Sequence, residues 1–160
     1  MDSVAGIMSE FDLDRGSVCL EITESVVVQD IETTRITLAG LKAAGVQVAI
    51  DDFGTGYSAL SQLKSLPVDT LKIDKGFVRE LGTDPGDLAI VRAIIALAEA
   101  FDLELVAEGV ETEAAALTLL RHGCHRAQGF LLSRPIPGAA MESLLTKGRI
   151  PLHFSASPCL

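Results

Sequence analysis

The sequence predicts an α/β domain, a partial (β/α)8 barrel without its N-terminal strands. Short apolar runs alternate with longer segments of helical periodicity, the pattern of parallel strands joined by crossovers. The polar residues Glu21, Asp51, Lys72, Glu108 and Gln128 stand at the C-terminal ends of those runs, where the βα loops of a barrel collect its catalytic groups. The chain has 160 residues, room for about five units of roughly 31 residues, whereas a full barrel takes about 250. An open doubly wound sheet would gather its ligand groups at one switch point, so polar groups at every strand end suit a barrel better.

The first run, Val18-Cys19-Leu20, ends at Glu21 and leads to a helix over Ile31–Ala44, with Gly45 as its stop. The second, Val46–Ile50, ends at Asp51 and leads to a short helix around Ala59–Ser65, with Pro67 beyond it. The third, Thr70–Ile73, ends at Asp74; Asp84-Pro85 then starts a helix that runs to about Phe101. Ile90, Val91, Ile94, Ile95, Ala98 and Phe101 recur there at helical spacing and are expected to form one buried stripe. The fourth run, Leu103–Ala107, ends at Glu108, and Thr112 is placed to cap a helix over Glu113–His122 that Gly123 stops. The fifth is short and ends at Gln128-Gly129, followed by Arg134-Pro135 and a last helix near Ala139–Thr146.

Apolar residues make up 48% of the chain and charged residues 22%, a globular composition. A net charge of −9 argues against binding a nucleic acid polymer through its phosphates, though not against a phosphate ligand held through metal ions. Cys19, Cys124 and Cys159 form no CxxC pair, which suits a reduced, cytoplasmic setting. The start Met1-Asp2 has no signal-peptide pattern, and Arg92 and Glu99 interrupt the apolar stretch from Ile90 to Phe101, so membrane insertion is not expected.

The chemistry is concentrated at Asp51-Asp52-Phe53-Gly54-Thr55-Gly56-Tyr57-Ser58. Paired carboxylates at a strand end supply the hard oxygen ligands that Mg²⁺ takes together with substrate phosphates. Gly54 and Gly56 let the backbone turn close to a ligand.

With Glu21-Ile22-Thr23-Glu24, Lys72-Ile73-Asp74, Glu108-Gly109-Val110-Glu111 and Gln128-Gly129-Phe130 followed by Arg134-Pro135, this stretch resembles the EAL-domain family. Its members are bacterial phosphodiesterases that open cyclic di-GMP to linear pGpG. The resemblance is clear from about residue 10 and implies a truncated EAL domain over residues 1–147, with an irregular tail over 148–160. It implies a Mg²⁺ or Mn²⁺ pair, with Glu21 as a first-metal ligand, Asp51 as the bridging acid, and Asp52 and Glu108 as second-metal ligands. Lys72 would orient the attacking water and offset charge in the transition state, with Asp74 and Gln128 as supporting polar groups. Glu24 would anchor the Asp52–Leu60 loop, through which a homodimer would contact the site. Glu111 would sit behind the metals or against the substrate, and Arg134-Pro135 near the nucleotide. The implied reaction is direct attack of water without a covalent enzyme intermediate.

The chain departs from the pattern in having no Glu-Ala-Leu motif ahead of Glu21 and no downstream asparagine ligand. Ala59 replaces a usual second serine. A hydrolase that is weak or inactive as this chain is therefore expected, and a catalytically dead cyclic di-GMP-binding or protein-docking module is the alternative. Plainer roles remain open for several residues: Glu24, Asp74 and Glu111 as structural anchors, and Gln128 as a strand-end partner. His122, Cys124 and His125 are expected to be a solvated helix end rather than a metal site, and Lys42, Lys64 and Arg79 ordinary surface charges.

Overall fold

A computed structural model of the chain describes residues 2–56, 63–82, 84–148 and 150. Its core is a five-stranded parallel sheet in the order β1-β2-β3-β4-β5. The strands are β1 (Cys19–Thr23), β2 (Gln47–Phe53), β3 (Thr70–Ile73), β4 (Glu104–Ala107) and β5 (Arg126–Ala127). The helices are α1 (Asp2–Glu10), α2 (Glu24–Gln29), α3 (Ile31–Ala43), α4 (Lys75–Arg79), α5 (Pro85–Ala100), α6 (Glu113–Arg121) and α7 (Gly138–Lys147). Each strand pairs with its sequence neighbour, the order of an unrolled barrel segment.

Local chemistry sets the helix starts. The side chains of Asp30, Asp84 and Thr112 each accept a backbone N–H of the first turn they precede, from Thr33, Gly86 and Ala115 respectively. Pro85 at the first position of α5 gives up no needed donor. The central strands carry the burial: Val48, Leu71, Ile73 and Ala107 are fully enclosed, with Val91, Ile94, Ile95 and Ala98 of α5 among the residues packed in the same core. At the N-terminal end of the sheet, Asp69 accepts the Val48 N–H at 2.8 Å and pairs with Lys42, joining α3 to β2 and β3.

Several expectations need correction. Strand β1 does not end at Glu21 but continues to Thr23, and β2 runs through Asp51 and Asp52 to Phe53. In β1 only alternate residues are half-buried, so the polar Glu21 interrupts the apolar run without ending the strand. Ile90 is 38% exposed, outside the buried stripe, because it precedes Val91 by one residue and is turned about 100° from it. Helices α2 and α4 had no counterpart in the expected elements; Val26-Val27-Val28 in α2 is β-branched and a poor helix signal. Lys42 is not a free surface charge, being paired with Asp69. The helix expected around Ala59–Ser65 falls largely on residues outside those described, as does nearly all of the tail after Gly148.

Leu71 lies in the middle strand with no exposed surface. Leu71→Ala is expected to lower the unfolding free energy by about 2–5 kcal/mol, measured by urea denaturation; a loss below about 1 kcal/mol would contradict the packing described.

Candidate functional site

Strand β3 carries a lysine in a wholly buried segment, Thr70-Leu71-Lys72-Ile73. The Lys72 side chain is 6% exposed, and its ammonium meets three carboxylates. Nζ lies 2.5 Å from Glu108 Oε1, 2.7 Å from Glu21 Oε2 and 3.1 Å from Asp51 Oδ1. These acids come from β1, β2 and the residue that follows β4, so the strands on both sides of β3 converge on one charge. Burial opposes that charge, but the hydrogen bonds to Glu108, Glu21 and Asp51 outweigh it and hold the ammonium above the ordinary lysine range.

Asp51 and Asp52 are consecutive, and in a regular strand consecutive side chains point to opposite faces. The ladder between β2 and β3 slips between Ile50 and Phe53, and Asp52 adopts a left-handed backbone with φ 53°. A bulge of this kind re-aims a side chain. Carboxylate oxygens of Asp51, Asp52 and Glu108 consequently lie within 4.8 Å of one another. Asp52 is pushed above the usual carboxylate range, first by burial and then by its neighbours Asp51 and Asp74.

The surrounding polar residues are placed as follows. Gln128 Nε2 donates to Glu108 Oε1 at 2.7 Å. Asp74 caps α4, its Oδ1 accepting the Gly76 N–H at 2.8 Å. Glu24, buried at the start of α2, accepts the N–H groups of Gly54 (3.1 Å) and Gly56 (3.3 Å) through Oε2. Gly54 has φ 99° and packs against Phe77 and Ile94, so a side chain there would be both strained and crowded. The rest of the Asp52–Leu60 loop, from Tyr57 onward, lies outside the described residues.

Beyond Glu108 and Gln128 opens a cleft of about 570 Å³, lined in part by Lys75, Arg79, Glu111, Phe130, Arg134 and Pro135. The Arg134 guanidinium stacks 4.7 Å above the Phe130 ring. Lys75, Arg79 and Phe130 were not singled out as ligand groups from the sequence; Arg79 was expected to be an ordinary surface charge. Lys75 and Arg79 share the short helix α4, whose existence is the missing signal. Glu111, Arg134 and Pro135 stand on the cleft wall and are not part of the carboxylate group around Lys72. Gly129 closes the back of the cleft against Val110, where a Cβ would fall 2.2 Å from the Val110 carbonyl oxygen.

Of the His122, Cys124 and His125 group, His122 caps the end of α6 and His125 is exposed, as expected of a helix end, and only Cys124 departs from that reading. Cys124 is buried in the core, and His122 Nδ1 lies 2.8 Å from the Thr118 carbonyl oxygen. Among the described residues the acids Asp51, Asp52 and Glu108 form the one group of three or more carboxylate, thiol or imidazole donors close enough to share an ion.

The EAL domain family model matches residues 1–135. The chain belongs to the EAL domain family. Its fold superimposes on the crystal structure of the EAL domain of Mycobacterium smegmatis DcpA with a TM-score of 0.89 at 79% identity, covering 94% of this chain and 67% of that one. It is 50% identical over 86% of its length to the bifunctional diguanylate cyclase/cyclic di-GMP phosphodiesterase MucR of Pseudomonas aeruginosa. The solved complex of the MucR phosphodiesterase with c-di-GMP superimposes with a TM-score of 0.84 at 48% identity, over 88% of this chain and 57% of that one. A manganese/cyclic di-GMP complex of Klebsiella pneumoniae BlrP1 matches at 37% identity with a TM-score of 0.77, over 84% of this chain and 35% of that one. The chain spans 24% of the curated mycobacterial relative it matches at 64% identity, and 20% of MucR. The partial barrel is thus the shared EAL architecture, and no helix among the described residues is long and apolar enough to cross a membrane.

Because burial and its acidic neighbours raise its folded pKa above the ordinary value of 3.8, Asp52 costs stability once pH rises past that value and costs none below it. In the presence of a chelator, Asp52→Asn is expected to raise Tm at neutral pH by less than about 1 kcal/mol equivalent, since solvent screens the group, with no gain below pH ~3.8. Asparagine tolerates the left-handed backbone there. Thermal scans at both pH values check it; an equal gain at both would refute the electrostatic origin.

Proposed function

We propose that these residues form the cation- and water-handling side of a cyclic di-GMP phosphodiesterase site, which opens the cyclic dinucleotide to linear pGpG. The observation that carries this is the clustering of Asp51, Asp52 and Glu108 oxygens beside the Lys72 ammonium. The donor set is all carboxylate, as hard divalent cations require. Asp51, Asp52 and Glu108, with Glu21 beside them, would hold Mg²⁺ or Mn²⁺, which supplies an activated water and neutralises phosphodiester charge when bound.

The chain's own groups do the rest. Lys72 directs a fixed positive charge at the oxygens of the reacting phosphate and orients the water. Gln128 steadies Glu108, and Asp74, at the start of α4, adds to the negative charge around Asp52 that a cation would neutralise. Glu24 ties the Gly54–Gly56 backbone to α2, holding the loop that carries Asp52 to the site. The cleft lined by Lys75, Arg79 and Arg134 takes a phosphate, and Phe130 a base; its volume of about 570 Å³ falls in the range of small-molecule sites. A second copy of the chain would dock at the Asp52–Leu60 loop, and the free thiols of Cys19 and Cys124 suit a cytoplasmic setting.

The 160-residue chain by itself is expected to turn over weakly or not at all, because it carries no Glu-Ala-Leu segment and no asparagine to complete the first metal position. The cleft favours a second reading as a nucleotide-binding module: it is built within the described residues and needs no cation to exist.

The deciding experiment joins the chain to the part of the DcpA EAL domain it does not cover and follows pGpG by chromatography with Mn²⁺. The fusion is expected to hydrolyse cyclic di-GMP, and Glu108→Gln within it to lose about 100-fold or more. A folded fusion that binds cyclic di-GMP without making pGpG would leave the binding module as the function.

A further inference from the structure

We propose that Lys72 is the resident counter-cation of the site: its ammonium gathers Glu21, Asp51 and Glu108 in the metal-free protein and yields Asp51 and Glu108 when a divalent cation enters. This role rests on the carboxylate group being a metal centre. An ammonium has three N–H donors, and Lys72 has three carboxylate partners at 2.5–3.1 Å, one on each of three different segments. None is a local neighbour in sequence, so the pairing ties separate strands together.

Two of those partners, Asp51 and Glu108, also belong to the group whose oxygens approach within 4.8 Å. At Glu108 one oxygen is already crowded: Oε1 receives both Lys72 Nζ and Gln128 Nε2. A cation taken up through that oxygen must displace one of these donors, and a positive charge repels the ammonium first. Asp52, the third member of the group, has no ion pair with Lys72 among those formed, which gives an arriving cation a foothold before the exchange. Lys72 sits on the most buried strand and cannot swing into solvent, so after the exchange it stays against Glu21 with donors free to face the reacting phosphate. No proton moves in the exchange.

Removing the ammonium should therefore make the fold depend on metal. Without it, acids from three separate segments face one another uncompensated, and the cation that binds them meets no competing charge. The test is thermal unfolding of the purified chain and of Lys72→Met, in chelator and in Mn²⁺. In chelator the variant is expected to lose about 5–10 °C. Its Mn²⁺-induced rise in Tm should be at least twice that of the unsubstituted chain; a residue that merely packs would lower both values and leave the rise unchanged. Folding of the variant only in Mn²⁺ would also support the role. An unchanged Tm in chelator, or a Mn²⁺-induced rise no larger than in the unsubstituted chain, would overturn it.

If the variant is unfolded in both conditions, the ¹⁵Nζ signal of Lys72 in the unsubstituted chain decides, assigned by its loss in Lys72→Arg. Mg²⁺ is expected to move it along with the Asp51 and Asp52 amides. A Lys72 signal that stays fixed while those amides shift overturns the role. No response of the unsubstituted chain to either cation overturns both this role and the metal centre. Absence of pGpG from the fusion with the metal responses intact would count against hydrolysis alone.

Discussion

The ammonium of Lys72, enclosed on the middle strand, is the constraint on which the site and the sheet's C-terminal end both depend. A charge on a strand that buries every residue is tolerated only when it is paired and its hydrogen bonds are met. The parallel register meets that demand. Lys72 lies opposite Val106, and the ladder then places Glu108 just past the end of β4, level with the ammonium. On the other side, Glu21 opposite Ala49 and Thr23 opposite Asp51 put the acids of β1 and β2 within reach of the same nitrogen. A slip of one residue in any of these strands would turn its acid to the other face and leave the charge underpaired.

Pairing alone would give a salt-bridged core; the backbone distortion at Asp52 turns it into a site. A regular β2 would send Asp51 and Asp52 to opposite faces, one inward and one toward the helices. The register slip and the left-handed φ at Asp52 bring both to the same cluster, at a cost of order 1–3 kcal/mol in backbone strain. Burial and then repulsion from Asp51 and Asp74 add to that cost, as the upward push on the Asp52 carboxyl shows. Glu24 helps to hold the distortion in place, accepting two N–H groups of the turn that follows it. The local structure is therefore strained and like-charged together, a combination expected where a ligand of opposite charge is to be bound.

The sheet order and most helix boundaries were legible because they rest on short-range signals, and of the four acids expected to hold cations the close group contains Asp51, Asp52 and Glu108 but not Glu21. Alternating runs mark strands, Asp84 and Thr112 mark helix starts, and the ordered motifs carry the family. What was not legible depends on tertiary placement. Strands β1 and β2 continue through their acids because neighbouring strands supply the hydrogen bonds, which an apolar-run criterion does not register. Helix α4 is only five residues long, too short for a periodic signal, yet it carries Lys75 and Arg79 to the cleft. Cys124 follows a helix-stopping glycine and looks exposed in sequence, whereas β4, β5 and α6 close over it.

The exposure of the acids around Lys72 is graded across the sheet. Glu108, beside β4, is 15% exposed and Asp51, on β2, 23%, while Glu21, on the outer strand β1, is 49% exposed. The interior strands are enclosed by neighbours on both sides; among the described residues β1 pairs with β2 alone. A carboxylate half in water keeps much of its hydration and is a looser, better screened ligand than one held in a drier environment. The cluster is consequently tight where Glu108, Gln128 and the cleft meet and loose toward Glu21. The cleft lined by Lys75, Arg79 and Arg134 opens on the tight side, and Glu21 marks the loose one. Under the proposed function, gripping a nucleotide would draw on side chains between β3 and β5, whereas holding cations beside β1 would call on Glu21, the most exposed of the three acids.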